Sequence, residues 1–439
     1  MLAATTNQIC QEVASIPLLW VWPLGLYLLS FVICFESPRW YSRRWFGRFA
    51  AALIPAACIV TPMGTEAPYW AHLSIDSCAL FVCLMLCHGE LAERRPEEDL
   101  LTSFYLAVAG GGVLGSLIVT FAAPELFTSY LEFPLFLMLA GLTTVVLWWR
   151  EKVITFTALV PLALGALVPL AYLSGPAGTI VAEMRNFYGV VRVSIGLDTR
   201  GQKFVMTHGQ TMHGTEYLAE KSRPSPSTYY SPQSGVGLAI GEHRRGGMDI
   251  GVIGLGAGTL ASYARPGDHW RFYEINPDVV RLAKEPFTYL RASLAPVDIK
   301  EGDGRLSLEK DTAARYDILV VDAFSSDSIP VHLLTRECAG VYKSRLKSDG
   351  IVAIHISNRT LDLEPVVRGL AQSIGFHTLR INNTNDKDNG VSASSWMLLS
   401  PVKESLEGLR RASTAFETRP AIVWKDGHAD VVGVLTFTN

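Results

Sequence analysis

Charged residues are scarce in this sequence. Only 18% of its 439 residues are Asp, Glu, Lys or Arg, whereas about 25% is typical of soluble proteins. The net charge of −3 gives no basic excess, so we expect no nucleic-acid partner. The seven cysteines are odd in number and lie mostly in apolar stretches, which predicts no disulfide framework. None of the ten histidines shows metal-site spacing, so we also expect no metal.

The first part of the chain combines few basic residues with long apolar stretches. Residues 1–174 hold eight of the 38 Lys and Arg. Most of the stretches approach the roughly 20 residues that cross about 30 Å of hydrocarbon, and Trp and Tyr cluster at their ends. The stretches lie at about 17–35, 48–64, 69–88, 104–122, 133–149 and 153–173. They predict a multi-pass α-helical domain in the cell membrane, with the lipid bilayer as a partner.

One of these stretches carries four closely spaced glycines, in "FYLAVAGGGVLGS" (104–116). Small residues at such spacing allow helix backbones to approach each other closely in lipid. We therefore expect a close helix–helix contact at Gly110, Gly111, Gly112 and Gly115.

Strand-like and helix-like segments alternate in the rest of the chain. Within 175–245, "VVRVSI" and "FVMT" are rich in β-formers and predict a small antiparallel β lead-in. From 246 to 439, strand patterns in "MDIGVIGLG", "WRFYEIN", "VDIKEGD", "YDILVVDAF" and "GIVAIHIS" are mostly separated by helical patterns. This alternation predicts a Rossmann-like α/β domain, in which a parallel sheet has helices on both faces. Ligands of such sheets bind at the carboxyl ends of the strands.

A glycine turn follows the first of these strands, in "IGVIGLGAGTL" (250–260). Backbone N–H groups at such a turn approach a ligand closely, and Glu274, about twenty residues further on, is placed to bind ribose hydroxyls. Asp303 and Asp322 follow two later strands. The spacing G-L-G-A-G, rather than G-x-G-x-x-G, favours an S-adenosylmethionine-type ligand, with NAD as the alternative.

Several further motifs accompany these acids, namely "CHGELAERRP", "RNFYGVVRV", "THGQTMHGT" and "STYYSPQSGVG". Residues from about 200 to 375 resemble the spermidine synthase (aminopropyltransferase) family, a branch of the class I methyltransferase fold. With the four motifs, the whole chain looks like the membrane-fused, spermidine synthase-like proteins of bacteria, which implies the bacterial inner membrane. The resemblance implies transfer of an aminopropyl-type group from decarboxylated or intact S-adenosylmethionine to an amine acceptor, and it allows a homodimer.

The resemblance also implies a role for each acid. Glu274 matches the family's ribose-binding acid, and Asp303 in "EGDGR" matches the Asp that binds the adenine amino group. "DAFSSDSIP" resembles the family's "D-S-S-D-P" with two residues inserted, which makes Asp322 the catalytic carboxylate and Asp327 the second. Tyr230 matches a family Tyr near the acceptor, with Tyr229 as its rival. The donor site predicted in this way comprises His208, Gln210, His213, Gly254, Gly256, Gly258, Glu274, Ile275, Asp303 and Gly304.

Two positions depart from the family pattern. Ala257 stands where family members have an Asp that holds the amine of decarboxylated S-adenosylmethionine, and His208 replaces an acid in the family's "L-D-G". Both changes suit a donor that keeps its carboxylate, to which His208, Gln210 and His213 are able to donate hydrogen bonds. An equally open interpretation is that one of these histidines simply orders a loop.

Three functions therefore remain open. The first is the membrane-bound transferase just described, and the second is another S-adenosylmethionine-dependent enzyme, a methyltransferase or lyase with a lipid-borne substrate. The third is a transporter or sensor of polyamine or nucleoside, which the low charge of the apolar stretches disfavours. S-adenosyl donors are made in the cytoplasm, so we expect the second part of the chain there. The positive-inside rule places the basic loops 36–48, 90–103 and 150–152 in the cytoplasm. With six crossings, the second part of the chain would then lie outside the cell. Because the two arguments disagree, the number of crossings stays open.

Overall fold

The computed structural model describes residues 1–13, 17–61, 67–147, 179–209, 211–219, 224–323, 330–358 and 360–436. Two compact units are present. We call Met1–Thr179 with Glu183–Val190 the helical unit, and Ile180–Ala182 with Val191–Asn439 the sheet unit.

The helices that the structure describes in the helical unit are α1 (Leu2–Asn7), α2 (Trp22–Glu36), α3 (Arg43–Val60), α4 (Tyr69–Glu93), α5 (Leu101–Leu117), α6 (Ala123–Leu126) and α7 (Glu132–Leu147). Five of these helices, α2 to α5 and α7, overlap predicted apolar stretches, whereas α1 and α6 lie outside them. Within the described ranges, two helical segments, Trp70–Glu93 and Glu98–Leu126, are long and apolar enough to cross a membrane. The apolar helices Trp22–Glu36 and Glu132–Thr143 are shorter. The predicted stretch 153–173 lies outside the described residues.

Helices α4 and α5 differ in how they pack. On α4, the polar side chains of His72 and Asp76 are fully buried, as expected for polar residues that face the interior of a helix bundle. On α5, an added Cβ at any of the four glycines would meet no described atom within 4 Å. The close helix contact predicted there is therefore not found among the described residues.

Two of the quoted motifs form ion pairs within the helical unit. Glu90 of "CHGELAERRP" accepts hydrogen bonds from Nε of the partly exposed Arg43 at 2.6 Å and from the Tyr41 hydroxyl at 2.9 Å. Arg185 of "RNFYGVVRV" donates to both carboxylate oxygens of Glu132, at 3.0 and 2.7 Å, and both side chains are at most 4% exposed. Losing one partner of this second, buried pair leaves the other charge buried and costs about 3–5 kcal/mol. These residues therefore have a structural role.

A four-stranded sheet follows, with strand order β1-β2-β3-β4. Its strands are β1 (Ile180–Asn186), β2 (Gly189–Asp198), β3 (Gly201–His208) and β4 (Thr211–Tyr217). β3 pairs antiparallel with both β2 and β4. Val191 and Val193 on β2 and Met206 on β3 are at most 1% exposed, so alternate residues of β2 are buried, as expected for side chains that point to one face of a sheet.

The larger sheet has seven strands in the order β10-β11-β9-β8-β5-β6-β7. They are β5 (Asp249–Ile253), β6 (His269–Glu274), β7 (Val297–Glu301), β8 (Tyr316–Val321), β9 (Leu346–His355), β10 (His377–Asn383) and β11 (Ser394–Ser400). The five strands predicted from the sequence are parallel. β11 runs antiparallel to both β9 and β10, so the sheet is mixed, which corrects the prediction of an all-parallel sheet.

The helices of the sheet unit connect these strands. They are α8 (Gly235–Glu242), α9 (Pro277–Lys284), α10 (Gly304–Lys310), α11 (Arg336–Arg345) and α12 (Glu364–Ile374), with a 3₁₀ helix at Thr259–Tyr263. Ile253, Val321 and Ile354 at the strand ends are at most 1% exposed and belong to the apolar core under the site. The strand order reverses at β5, whose neighbours are β6 and β8. A ligand crevice is expected at this switch point, beyond the carboxyl ends of the strands.

Candidate active site

A cavity lies at the predicted switch point. It encloses about 720 Å³ of space, part of it open to solvent, which is within the usual range for small-molecule sites. Strands β5, β6, β7 and β8 each end beside it. The predicted site residues that line it are His208, His213, Gly254, Gly256, Glu274, Ile275, Asp303, Gly304 and Asp322.

The glycine turn brings the backbone close to its neighbours. Gly254 has φ 97° and Gly256 has φ 53°, values in the left-handed region that favours glycine. A Cβ on Gly254 would overlap the carbonyl oxygen of Asp322, and a Cβ on Gly256 would lie 2.6 Å from the carbonyl oxygen of His213. The turn therefore fits between β8 and β4 only because it carries glycines.

Glu274 ends β6 and closes one side of the cavity. Its carboxylate accepts hydrogen bonds from the backbone N–H of Leu255 and of Asn276, both at 2.9 Å. The residue is 8% exposed. Burial raises the pKa of Glu274 above its ordinary value, although the backbone N–H groups that it accepts oppose this effect. The remaining lone pairs of the carboxylate are available to ligand hydroxyls.

Asp303 follows β7 and is already engaged by protein groups. One carboxylate oxygen accepts from the backbone N–H of Leu306 at 2.8 Å, which caps α10. The other lies 2.9 Å from Nε2 of His332. His332 lines the same cavity and was not predicted. His332 lies in the connection that follows β8. Because ligand sites of such sheets lie beyond the carboxyl ends of the strands, its position in the sequence could have identified it as a candidate.

Asp322 follows β8, and both of its oxygens are held. Oδ1 lies 2.8 Å from Nδ1 of His355, and Oδ2 accepts a hydrogen bond from the Tyr230 hydroxyl. Burial by itself raises the pKa of Asp322, but His355 and the Tyr230 hydroxyl outweigh that effect and keep the pKa below its ordinary value. The carboxylate is therefore ionised at neutral pH.

His355 was not predicted, although it ends the strand "GIVAIHIS". Its ring lies between two aromatic rings, Tyr229 at a centroid distance of 4.9 Å and Trp396 at 4.6 Å. Tyr229 and Tyr230 follow Thr228, which has φ 58°. A β-branched residue in this region is strained, and such strain is typical of functional sites. Tyr229, the rival of Tyr230, thus stacks on His355, while Tyr230 contacts Asp322.

Two histidines line the cavity from the small sheet, His208 at the end of β3 and His213 on β4. Their ring centroids are 5.9 Å apart. Burial lowers the pKa of His213 to about 3, so its imidazole is neutral at pH 7. Nε2 of His213 is buried and has no hydrogen-bond partner among the described residues. This atom is suited to a polar group of a ligand, because an unpaired buried nitrogen is costly.

Other predicted positions lie elsewhere. Gly258 precedes the 3₁₀ helix and does not line the cavity. Ala257 is 0% exposed, and a Cβ on Gly214 would approach the Ala257 methyl group to 2.6 Å, so Ala257 packs against β4 instead of facing the cavity. Gln210 and Asp327 lie outside the described residues.

No group of three or more His, Cys, Asp or Glu in the described part of the chain is arranged to hold a metal ion. The site consists instead of carboxylates, imidazoles and backbone N–H groups around a switch-point cavity. Such a site, beside a glycine turn and at a switch point of the sheet, is typical of Rossmann-like folds.

Comparison with known proteins narrows this class. No family model matches the chain. The polyamine aminopropyltransferase of Vibrio vulnificus is 29% identical over 179 residues, which are 40% of this chain and 58% of that protein. The chain thus spans less than two thirds of this relative's length.

Two solved structures are similar to more than half of the chain. Spermidine synthase from Thermotoga maritima has 13% identity and a TM-score of 0.39 over 59% of this chain and 84% of its own. A probable spermidine synthase from Corynebacterium glutamicum has 16% identity and a TM-score of 0.45, over 58% and 98%. The sheet unit has a spermidine synthase-like, class I S-adenosylmethionine-type fold.

Proposed function

We propose that this chain is a membrane-bound, spermidine synthase-like transferase that moves an aminopropyl-type group from an S-adenosyl donor to an amine. The main observation in support of this proposal is that Glu274 and the ionised Asp322, which follow two different strands, line the same cavity. The likeness to a polyamine aminopropyltransferase supports it.

The nucleoside end of the donor would lie against the glycine turn. Glu274 would accept hydrogen bonds from the ribose hydroxyls, and two such charge-assisted bonds are strong. Asp303 would accept from the adenine amino group, with His332 holding its second oxygen. Ile275 and Gly304 line this end of the cavity.

The chemistry is a nucleophilic displacement. The lone pair of the acceptor nitrogen forms a bond to the carbon next to the sulfonium, and the carbon–sulfur pair leaves on sulfur to give a thioether nucleoside. The new ammonium then gives its proton to a carboxylate, for which Asp322 is placed. Since the sulfonium is already a good leaving group, the protein mainly has to orient the two reactants.

The second candidate is another S-adenosylmethionine-dependent enzyme, a methyltransferase or lyase that acts on a lipid-borne substrate. The observation in its favour is a neutral His213, which lines the cavity and whose buried Nε2 has no hydrogen-bond partner among the described residues. Such a histidine suits a donor that keeps its carboxylate. We therefore propose an S-adenosyl donor without choosing between its intact and decarboxylated forms.

The proposal includes a bilayer anchor. Two helical segments of sufficient length and apolarity support it. So does the set of exposed apolar side chains on α5, which includes Leu106, Val113 and Leu114 at 60% exposure or more, because lipid tails satisfy such side chains.

The deciding experiment incubates the detergent-solubilised full chain with each donor, with and without polyamines, and identifies the products by mass spectrometry. We expect methylthioadenosine together with an aminopropylated amine, and about 10²-fold less of both from Asp322→Asn. Methylated product with S-adenosylhomocysteine, or methylthioadenosine without an aminopropylated amine, would instead establish the second candidate.

A further inference from the structure

His355 does not line the cavity itself, and its two ring nitrogens contact different side chains. Nδ1 lies 2.8 Å from Oδ1 of Asp322, and Nε2 lies 2.9 Å from Oγ of Ser357. The ring is 6% exposed. Because the Asp322 carboxylate only accepts hydrogen bonds, Nδ1 must carry a proton.

Ser357 extends this contact into a chain of hydrogen bonds. Its Oγ accepts from the backbone N–H of Ser395 at 2.8 Å, and its hydroxyl proton is able to point to Nε2 of His355. Ser395, Ser357, His355 and Asp322 are thus connected by continuous hydrogen bonds, at the end of which Nδ1 donates to the carboxylate.

The aromatic neighbours fix the plane of the imidazole. Tyr229 stacks on one side with an interplanar angle of 15°, and Trp396 stacks on His355 at 20°. A ring held between two others cannot turn about its own bond without displacing one of them, so Nδ1 stays directed at Asp322.

We propose that His355 is a positioning residue for the Asp322 carboxylate. The inference rests on the proposed function, because it assigns His355 a task in that reaction. The Tyr230 hydroxyl holds Oδ2 and His355 holds Oδ1, so the carboxylate has a fixed orientation and its remaining lone pairs are presented to the acceptor amine. Rigid support of this kind is what a catalytic group needs to stay in productive geometry.

Two amide variants test whether His355 acts through its hydrogen-bond donor at Nδ1 or through the imidazole ring as a whole. The side-chain nitrogen of Asn reaches about the position of Nδ1, whereas that of Gln reaches about the position of Nε2. We expect His355→Asn to keep kcat within about fivefold of wild type, and His355→Gln to lower it by about 10- to 100-fold, the range for loss of a positioned catalytic contact. KM for the donor and Kd for methylthioadenosine should stay within about twofold in both, since a positioning role does not alter the nucleoside end.

Ser357→Ala provides the matched control. It removes only the outer bond of the chain, so kcat should fall by about two- to fivefold, as expected for one neutral hydrogen bond. A fully active His355→Gln, or equal losses in the Asn and Gln variants, would overturn the proposal. So would a Ser357→Ala loss as large as that of Asp322→Asn, because Ser357 would then act directly.

A spectroscopic measurement keeps this test independent of the reaction. In ¹⁵N-histidine spectra of the full chain in detergent, we expect one Nδ1-protonated imidazole signal that disappears in His355→Gln and shifts in Asp322→Asn. Its absence in wild type would refute the arrangement at His355. If wild type is inactive with every donor, the proposed function fails, whatever these spectra show.

Discussion

Glu274 accepts a hydrogen bond from the backbone N–H of Leu255, at 2.9 Å, within the glycine turn. The acid at the end of β6 and the turn after β5 are therefore one hydrogen-bonded unit. The same carboxylate also accepts from Asn276, so a ligand hydroxyl meets an acceptor whose position is already fixed from both sides.

The first prediction concerns this acceptor. Glu274→Ala should weaken methylthioadenosine binding by about 1.5–3 kcal/mol, because it removes a charged hydrogen-bond partner and leaves two backbone N–H groups without theirs. Glu274→Gln keeps one accepting oxygen and should lose less. Calorimetry on both variants checks this, with Glu301→Gln as a control at the exposed register partner on β7. Unchanged affinity in a folded Glu274→Ala variant would contradict the ribose assignment.

The second prediction is a pH dependence with a definite sign. Burial raises the pKa of Glu274, and only its ionised form accepts from both ribose hydroxyls. Methylthioadenosine affinity should therefore be constant at neutral pH and fall as the pH drops through the raised pKa, starting above the ordinary value of 4.5. Calorimetry between about pH 4 and 8 measures how methylthioadenosine affinity depends on pH in wild type and in Glu274→Gln. The part of this dependence that is lost in Glu274→Gln is due to Glu274. The same dependence in both proteins would mean that other groups cause it.

The third prediction concerns turnover. Asp322→Asn keeps the shape of the side chain but loses the proton acceptor, so kcat should fall by about 10²-fold or more while donor binding persists. Tyr230→Phe removes one hydrogen bond to Asp322 and should cost less, about tenfold. Steady-state kinetics with a binding assay separates the two effects. Full activity of Asp322→Asn would mean that the reaction is not aminopropyl transfer.

Strand-end logic predicted much of this site. Glu274, Asp303 and Asp322 each follow an apolar strand, and parallel strands bring their carboxyl ends to one edge. His355 obeys the same rule but joins Asp322 from 33 residues away, through a side-chain contact that no local pattern encodes. The sequence also does not show in which direction a side chain of the glycine turn points. We therefore expected Ala257 at the donor, whereas it lies against β4.

The C-terminal strands and the α5 glycines show two other limits. β10 ("HTLRINN") is largely polar, so its strand signal is weak, and it forms by pairing along its whole length with β11. The α5 glycines match a packing motif, but their spacing alone does not provide a partner helix. In both cases tertiary contacts decide the outcome.

The fourth prediction concerns topology. We expect the sheet unit in the cytoplasm, where S-adenosyl donors are made, although the basic loops taken with six crossings give the opposite side. A pair of reporters fused after Asn439, one active only in the cytoplasm and one only outside, distinguishes the two. An external signal would refute the location and, with it, the usual donor.

The last prediction concerns the choice between intact and decarboxylated S-adenosylmethionine as donor. We expect His213, and not Ala257, to determine this choice. Because Ala257 is fully buried against Gly214, Ala257→Asp should destabilise the protein by about 2 kcal/mol or more, the cost of burying a carboxylate without partners.

His213 lines the cavity, so His213→Asp places a carboxylate where it attracts the amine of decarboxylated S-adenosylmethionine and repels the carboxylate of the intact form. The ratio of the two donor affinities should shift toward the decarboxylated donor by about tenfold, which corresponds to about 1.4 kcal/mol, whereas the neutral His213→Asn should leave it unchanged. Calorimetry with both donors and thermal melts of all three variants provide the test. A well-folded Ala257→Asp that shifts the ratio, beside a His213→Asp that does not, would place the donor's amino-acid end at the turn instead.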